Sequence, residues 1–258
     1  MTGNAWDAEA YDGRFGFVAA YGDDVLALLD PQPGEQVLDL GCGTGRHATQ
    51  IARAGSMVVG VDADEVMLAK ARADHPGIAF IAADATAFGM ADLKADRPFD
   101  ACFSNAALHW MRPPDAVLSN VRSILVPSGR FVAEMGGAGN IAALDESLHA
   151  ALRDVGAPDV PVVENYFPTV GEQSGRLEAA GFRVEYMTWF RRPTPLDPGT
   201  TAADWTRQFR ADSWAAVPEE CRDDLAVAVE RHAADRGLLS SDGWIADYCR
   251  LRFVAIAR

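Results

Sequence analysis

The chain alternates between two patterns of apolar and polar residues. Short, continuously apolar runs, the first at 37–40, are followed by stretches in which apolar residues recur at helical spacing, such as Ala48, Ile51 and Ala52. Further apolar runs lie at 57–64, 78–85, 99–106 and 130–135, and further helical patterns lie at 65–75 and 115–125. Strands that are apolar on both faces and separated by helices are typical of a parallel sheet covered on both sides. We therefore predict an α/β fold with a doubly wound, mostly parallel sheet.

The C-terminal part of the chain has longer helical stretches and fewer strands. Helical patterns lie at 141–155, 173–180 and 202–235, and strand patterns lie at 182–190 and 248–257. Because strands recur after each helical stretch, we predict a single domain over 1–258 with seven strands and helical cap inserts at 140–180 and 197–245. The proline-rich segment 191–199 is predicted to be a connection within that domain.

Three glycines, Gly41, Gly43 and Gly45, follow the first predicted strand and precede a helix. Glycine within a helix or strand destabilises it by roughly 0.5–1 kcal/mol relative to alanine. Three glycines so close together therefore indicate a backbone conformation that only glycine permits. A tight turn at a helix start can direct N–H groups toward a ligand, whereas the alternative is close packing of helix on strand. The spacing departs from the dinucleotide fingerprint because position 46 is arginine, and the loop lacks the lysine of a P-loop.

Composition and charge narrow the classes of partner. A formal net charge of -14 and an isoelectric point near 4.7 disfavour nucleic acid, which is bound through clustered Lys and Arg. No apolar run approaches the roughly 18 residues of a membrane span, and no basic stretch leads into one, so we expect a cytoplasmic protein. The four cysteines lack metal-ligand spacing and predict neither a metal site nor a disulfide framework: Cys42, Cys102, Cys221 and Cys249.

The stretch LDLGCGTG at 38–45 resembles the first motif of class I S-adenosylmethionine (SAM) dependent methyltransferases, and the resemblance extends from 36 to about 135. It implies a Rossmann-like sheet and methyl transfer from SAM to a small molecule, with S-adenosylhomocysteine as product. We expect a carboxyl or hydroxyl oxygen as acceptor, in a monomer or homodimer. The alternatives are a SAM-binding protein without methyl transfer, an N- or C-methyltransferase, or a cyclopropane-forming enzyme.

The same resemblance implies roles for residues at the predicted strand ends. Asp62 would hold both ribose hydroxyls, because a carboxylate can accept two hydrogen bonds from a diol, or it would instead cap the next helix. Asp84 would accept the adenine amino group beside the backbone N–H of Ala85, or it would brace its own loop. Asp39 would orient the amino-acid end of SAM or tie down the loop. The other implied cofactor contacts are Gly41, Gly43, Gly45, Ala63, Asn105 and Ala106.

Two further segments, 104–111 and 166–182, are similar to trans-aconitate methyltransferases. The N-terminal segment 1–22 also resembles the aromatic lid that covers SAM in that family, although its aromatic residues could be core instead. The aromatic residues of this segment are Trp6, Tyr11, Phe15 and Tyr21, of which Tyr11 is also a candidate acceptor contact.

Candidate acceptor residues follow the later strands. His109 is either a general base or a packing or capping histidine, and Trp110 is a candidate pocket wall. Glu134 is expected to face the surface or to lie near the substrate mouth. Arg191 and Arg192 are predicted to end the sixth strand, where at most one of them would face the pocket and bind an anion.

Overall fold

The structure of the protein is a computed structural model that describes residues 23–258. The predicted lid at 1–22, with the candidate acceptor contact Tyr11, lies outside the described residues. Among the residues that are described, no helix is both long and apolar enough to cross a membrane.

One mostly parallel sheet organises the fold, in the strand order β3-β2-β1-β4-β5-β8-β6. All pairs from β3 to β5 are parallel, whereas β8 pairs antiparallel with β5. The strands are β1 (Gln36–Leu40), β2 (Met57–Asp62), β3 (Ala79–Ala82), β4 (Phe99–Asn105), β5 (Leu125–Gly136), β6 (Phe182–Pro195), β7 (Leu239–Ser240) and β8 (Gly243–Ala257). The predicted fold class is confirmed, and the two-residue β7, which pairs with β8 outside this order, adds an eighth strand.

Helices connect these strands. They are α1 (Asp23–Leu29), α2 (Arg46–Arg53), α3 (Glu65–Asp74), α4 (Pro114–Ile124), α5 (Ala142–Asp154), α6 (Val170–Ala179), α7 (Ala202–Phe209), α8 (Ala211–Ala215) and α9 (Arg222–Asp235), with 3-10 turns at Leu108–Trp110 and Glu219–Cys221. The region 202–235, predicted as helical, is divided into three helices. One division falls at Pro218, whose ring and missing N–H disfavour a helix interior.

The sheet is buried on both faces, which explains why its central strands direct apolar side chains to both sides. Leu38 and Leu40 of β1 pack in one core cluster with Phe131 of β5, whereas Val37 of β1 packs in a cluster on the opposite face with Phe103. Successive side chains of a strand point to opposite faces, so each central strand contributes to both clusters. The chain order reverses between β1 and β4, which creates a crevice at the carboxyl ends of the strands, where α/β folds bind ligands.

The sixth strand is longer than the sequence pattern predicts. It continues through Arg191 and Arg192 to Pro195, so these arginines do not end the strand and 191–195 is not a connection. A proline inside a strand cannot donate a ladder hydrogen bond, and Pro193 is tolerated because β6 lies at the edge of the sheet.

Two compact units are distinguished among the described residues: a sheet unit (23–138, 166–190 and 250–258) and a helical unit (139–165 and 191–249). The first predicted insert, 140–180, is thus divided, because Leu177 of α6 packs in the main core cluster of the sheet unit. In the helical unit, the fully buried Arg210 is held by Asp145 through two hydrogen bonds of 2.9 and 3.0 Å. The description of the chain as one domain stays a prediction.

Candidate cofactor and acceptor site

The glycine loop combines two separate backbone requirements. All three glycines have positive φ, at 75° for Gly41, 52° for Gly43 and 84° for Gly45. A Cβ at Gly41 would lie 2.2 Å from Cβ of Ala107, and one at Gly45 would lie 2.6 Å from the ring of Phe80. A Cβ at Gly43, by contrast, would have no heavy atom of residues 23–258 within 4 Å. Close packing therefore explains Gly41 and Gly45, whereas Gly43 leaves space that a ligand can use.

Asp62 connects the end of β2 to this loop. Its Oδ2 accepts a hydrogen bond of 2.9 Å from the Gly43 N–H, and its Oδ1 accepts one of 3.0 Å from the Asp64 N–H. Burial raises the pKa of Asp62, and these backbone hydrogen bonds oppose the increase. The alternative that Asp62 caps α3 is wrong, because the side chain of Asp64 accepts from the first N–H groups of that helix.

Asp39 lies in β1 beneath the loop and is only 2 % exposed. One carboxylate interaction is with the backbone N–H of Ala48 in α2, while Oδ2 has no hydrogen-bond partner among the residues that the structure describes. Burial, followed by the charge of Asp62, raises the pKa of Asp39 to about 7. A buried carboxylate oxygen of this kind favours a ligand that brings a donor or a positive charge.

Asp84 follows β3 and braces its own turn. It accepts hydrogen bonds from the backbone N–H of Thr86 at 2.8 Å and from the Thr86 hydroxyl at 2.7 Å, and both lower the pKa of Asp84. The next residue, Ala85, is buried, and its carbonyl accepts from the side-chain amide of Asn120 at 3.0 Å. The bracing role is thus observed, while the adenine contacts of Asp84 and Ala85 stay a prediction.

The end of β4 has an unusual backbone conformation. Asn105 pairs in register with Glu134, and the following Ala106 has a φ of 56°, a left-handed value that is rare without glycine. The Ala106 N–H donates to the carbonyl of Glu134 at 2.8 Å, which fixes this strained residue at the carboxyl end of the sheet. Ala63, at the end of β2, is exposed at the same edge.

His109 is held on several sides in the 3-10 turn after β4. Its Nδ1 accepts from the Gly136 N–H at 3.3 Å, and its carbonyl accepts from the Tyr166 N–H at 3.0 Å. Its ring packs against Trp110 and Phe167, with centroids 5.5 Å away in each case. Because Nδ1 is an acceptor here, the neutral imidazole carries its proton on Nε2. The packing role is therefore observed, and the roles of His109 as base and of Trp110 as pocket wall stay predictions.

Glu134 forms an ion pair inside the sheet. It is 3 % exposed, and its Oε2 lies 2.8 Å from Nε of Arg252, the residue directly opposite on β8. The expectation that Glu134 faces the surface is wrong, because its side chain is buried and paired with a cation that β8 supplies in register. Phe190 covers the Arg252 guanidinium at 5.4 Å, and substrate contact by Glu134 stays a prediction.

The two candidate arginines of β6 belong to the helical unit. Arg191 is exposed and Arg192 is half-buried, and the Arg192 carbonyl accepts from the Thr194 hydroxyl at 2.9 Å. Their role in anion binding stays a prediction.

Sequence reasoning missed another arginine. Arg250 of β8 is 6 % exposed and lies opposite Gly136, at the carboxyl end of β5. The sequence could have indicated it, because arginines alternate here with Leu251 and Phe253. Every second residue of a strand points to the same face, so the two arginines share one face.

No group of three or more His, Cys, Asp or Glu within 23–258 could hold a metal ion. The four cysteines are free thiols, and three of them are buried.

Comparison with known proteins identifies the family. A methyltransferase domain family matches residues 37–129. An uncharacterized methyltransferase from Schizosaccharomyces pombe is 31% identical over 263 residues, covering 99% of both chains. The chain belongs to the class I SAM-dependent methyltransferases.

A trans-aconitate 2-methyltransferase from Deinococcus radiodurans is 34% identical over 127 residues, covering 48% of this chain and 46% of that protein. The SAM-dependent methyltransferase from Mesorhizobium loti has the same fold, with a TM-score of 0.54 at 21% identity over 92% of this chain and 97% of that one.

The loop residues of this methyltransferase fit SAM chemically. SAM carries a sulfonium and an ammonium group, and the buried Oδ2 of Asp39 has no hydrogen-bond partner within residues 23–258. Gly43 leaves room for close approach, and Asp62 presents a second carboxylate beside it. The enzyme therefore has both acceptors for a cationic, diol-bearing cofactor.

Proposed function

We propose that this methyltransferase methylates a carboxylate oxygen of a small molecule. The observation that carries the proposal is the hydrogen bond from the Gly136 N–H to Nδ1 of His109, which engages the lone pair that a general base would use. A carboxylate is already ionised near neutral pH and needs no base, whereas a hydroxyl usually gains from one. The name of the similar Deinococcus protein, a methyltransferase of trans-aconitate, supports the same acceptor class.

In this proposal Asp39, Gly43 and Asp62 hold SAM, with Asp84 and Ala85 at its adenine, Ala63 near Asp62, and Asn105 and Ala106 along its methionine part. SAM, when bound there, would supply an electrophilic methyl group on a sulfonium for transfer to an acceptor oxygen. The protein residues orient the two reactants at about 3–3.5 Å and exclude water. His109 fixes the loop after β4, so that Trp110 lines the acceptor side.

The segment 1–22 is proposed to close over the bound cofactor through its aromatic residues, because water must be kept from the transfer step. Its amides should therefore exchange hydrogen more slowly when SAM is present. Identical exchange with and without SAM would contradict the lid.

The acceptor proposal is tested by incubating the full chain with labelled SAM and a panel of small carboxylic acids and matched alcohols. We expect S-adenosylhomocysteine together with a methyl ester, at a rate nearly flat between about pH 6 and 8, since carboxylates titrate near 4. The control His109→Asn keeps an oxygen that can accept from Gly136 and removes the imidazole. A rate that rises through about pH 6.5 in the wild type and is lost in His109→Asn would instead favour base-assisted hydroxyl methylation.

A further inference from the structure

Two arginines of β8 lie two residues apart on one strand face, and different residues of β5 lie opposite them. Arg252 faces Glu134, whereas Arg250 faces Gly136, the last residue of β5. Both guanidinium groups belong to the sheet unit and both residues are largely buried. The pair offers an internal comparison, because the residue opposite on β5 is a glutamate for Arg252 and a glycine for Arg250.

Arg252 has a structural role. Its Nε and one terminal nitrogen lie 2.8 and 2.7 Å from Oε2 of Glu134, and the Phe190 ring covers the guanidinium. The Arg252 guanidinium is therefore committed to a protein carboxylate, as expected for a buried ion pair.

Arg250 lies one step nearer the carboxyl end of β5, the end at which α/β sheets bind their ligands. Its opposite residue, Gly136, contributes only backbone, and that backbone donates to Nδ1 of His109. Arg250 therefore lies opposite the residue whose backbone holds His109. A guanidinium has five N–H donors, so it can bind a ligand while it keeps a protein partner.

We propose that Arg250 binds a carboxylate of the acceptor that is not itself methylated. This inference rests on the proposed carboxylate methylation. A carboxylate held by a planar guanidinium fork has one lone pair on each oxygen engaged and its negative charge neutralised, so it is a weaker nucleophile and a good anchor. The acceptor then carries two carboxylates, one held by Arg250 and one that takes the methyl group and loses its negative charge.

The test uses the full chain, saturated with S-adenosylhomocysteine so that no turnover occurs. Titration calorimetry compares the C4–C6 dicarboxylate that the wild type methylates fastest with the monoamide of the same acid. We expect the wild type to bind the dicarboxylate about tenfold to a hundredfold more tightly, and Arg250→Lys to lose most of that preference because lysine lacks the fork. The matched control is Arg183→Lys, at an exposed position of β6 in the same unit, which should keep the preference.

Unchanged affinity for S-adenosylhomocysteine in Arg250→Lys establishes that the variant is folded. A wild type that methylates the dicarboxylate but binds it no better than the monoamide overturns the inference, whether or not the variant folds. Retention of the preference in folded Arg250→Lys overturns it as well. A wild type that methylates no carboxylate and methylates an alcohol contradicts the proposed function first, and the inference with it.

Discussion

The two halves of the sheet unit hold their polar groups by different means. Around β1 and β2, the groups are fixed by backbone: Gly43 donates to Asp62, and Ala48 donates to Asp39. Around β5 and β8, they are fixed by partners from distant strands, as in the pair of Glu134 with Arg252. Backbone positioning needs particular residue types at short spacing, whereas cross-strand positioning needs only the correct register. The first half therefore has a local sequence signature, and the second half has none.

The largest expected effect is in the partner-dependent half. Glu134→Ala would leave the Arg252 guanidinium buried without its carboxylate, which we expect to lower the free energy of unfolding by about 3–5 kcal/mol. Urea denaturation measures this loss, and the double variant Glu134→Ala with Arg252→Met should recover part of it. A loss below about 1 kcal/mol for the single variant would mean that the pair behaves like an exposed one.

A smaller effect is expected in the backbone-dependent half. Asp62→Ala should weaken SAM binding by about 1.5–3 kcal/mol, tenfold to over a hundredfold, because the ribose would lose charge-assisted hydrogen bonds. The control Asp64→Ala removes the cap of α3 and should reduce stability by about 1 kcal/mol without affecting SAM affinity. Calorimetry that finds equal SAM affinity in Asp62→Ala and the wild type would refute the ribose contact.

Asp39 makes stability depend on pH. Because its folded pKa is raised to about 7 from 3.8, it contributes stability that is fully present below about pH 3.8 and is lost progressively as pH rises from there through about 7. Without cofactor, the wild type should lose about 1 kcal/mol between pH 6 and 8 relative to Asp39→Asn. The Asp62 charge faces Asp39, while burial keeps the nearby thiols of Cys42 and Cys102 neutral. Parallel pH profiles of the two proteins would contradict this assignment.

The smallest effect is expected at the exposed Arg191. Arg191→Ala should change the free energy of unfolding by no more than about 0.5 kcal/mol, as surface substitutions usually do. Its acceptor KM should stay within about twofold of the wild type, because the proposal assigns anion binding to Arg250. An increase of tenfold or more in the acceptor KM would instead assign anion binding to Arg191 of β6, as the sequence pattern predicts.

The contrast between the halves also explains what could be predicted from the sequence. The order of strands and helices, the glycine turn and the candidate Asp62 follow from local patterns, because the residues that determine them are adjacent in the chain. The partner of Glu134 could not be predicted, because Arg252 is 118 residues away and becomes opposite only through the antiparallel pairing of β8. The end of β6 was missed for a related reason: Pro193 signals a break unless the strand is known to lie at an edge.

The late position of β8 in the chain has a kinetic consequence. The contacts of β1 with β2 close short loops, whereas those of β5 with β8 close a loop of more than a hundred residues, and the entropic penalty of closure grows with loop length. We expect the glycine-loop half to order early during folding and β5 to keep an open edge until β8 docks. Substitutions at Glu134 should then mainly accelerate unfolding rather than slow folding, because their contacts form after the rate-limiting step. We therefore expect the strands around β8 to be the last part of the sheet to be assembled.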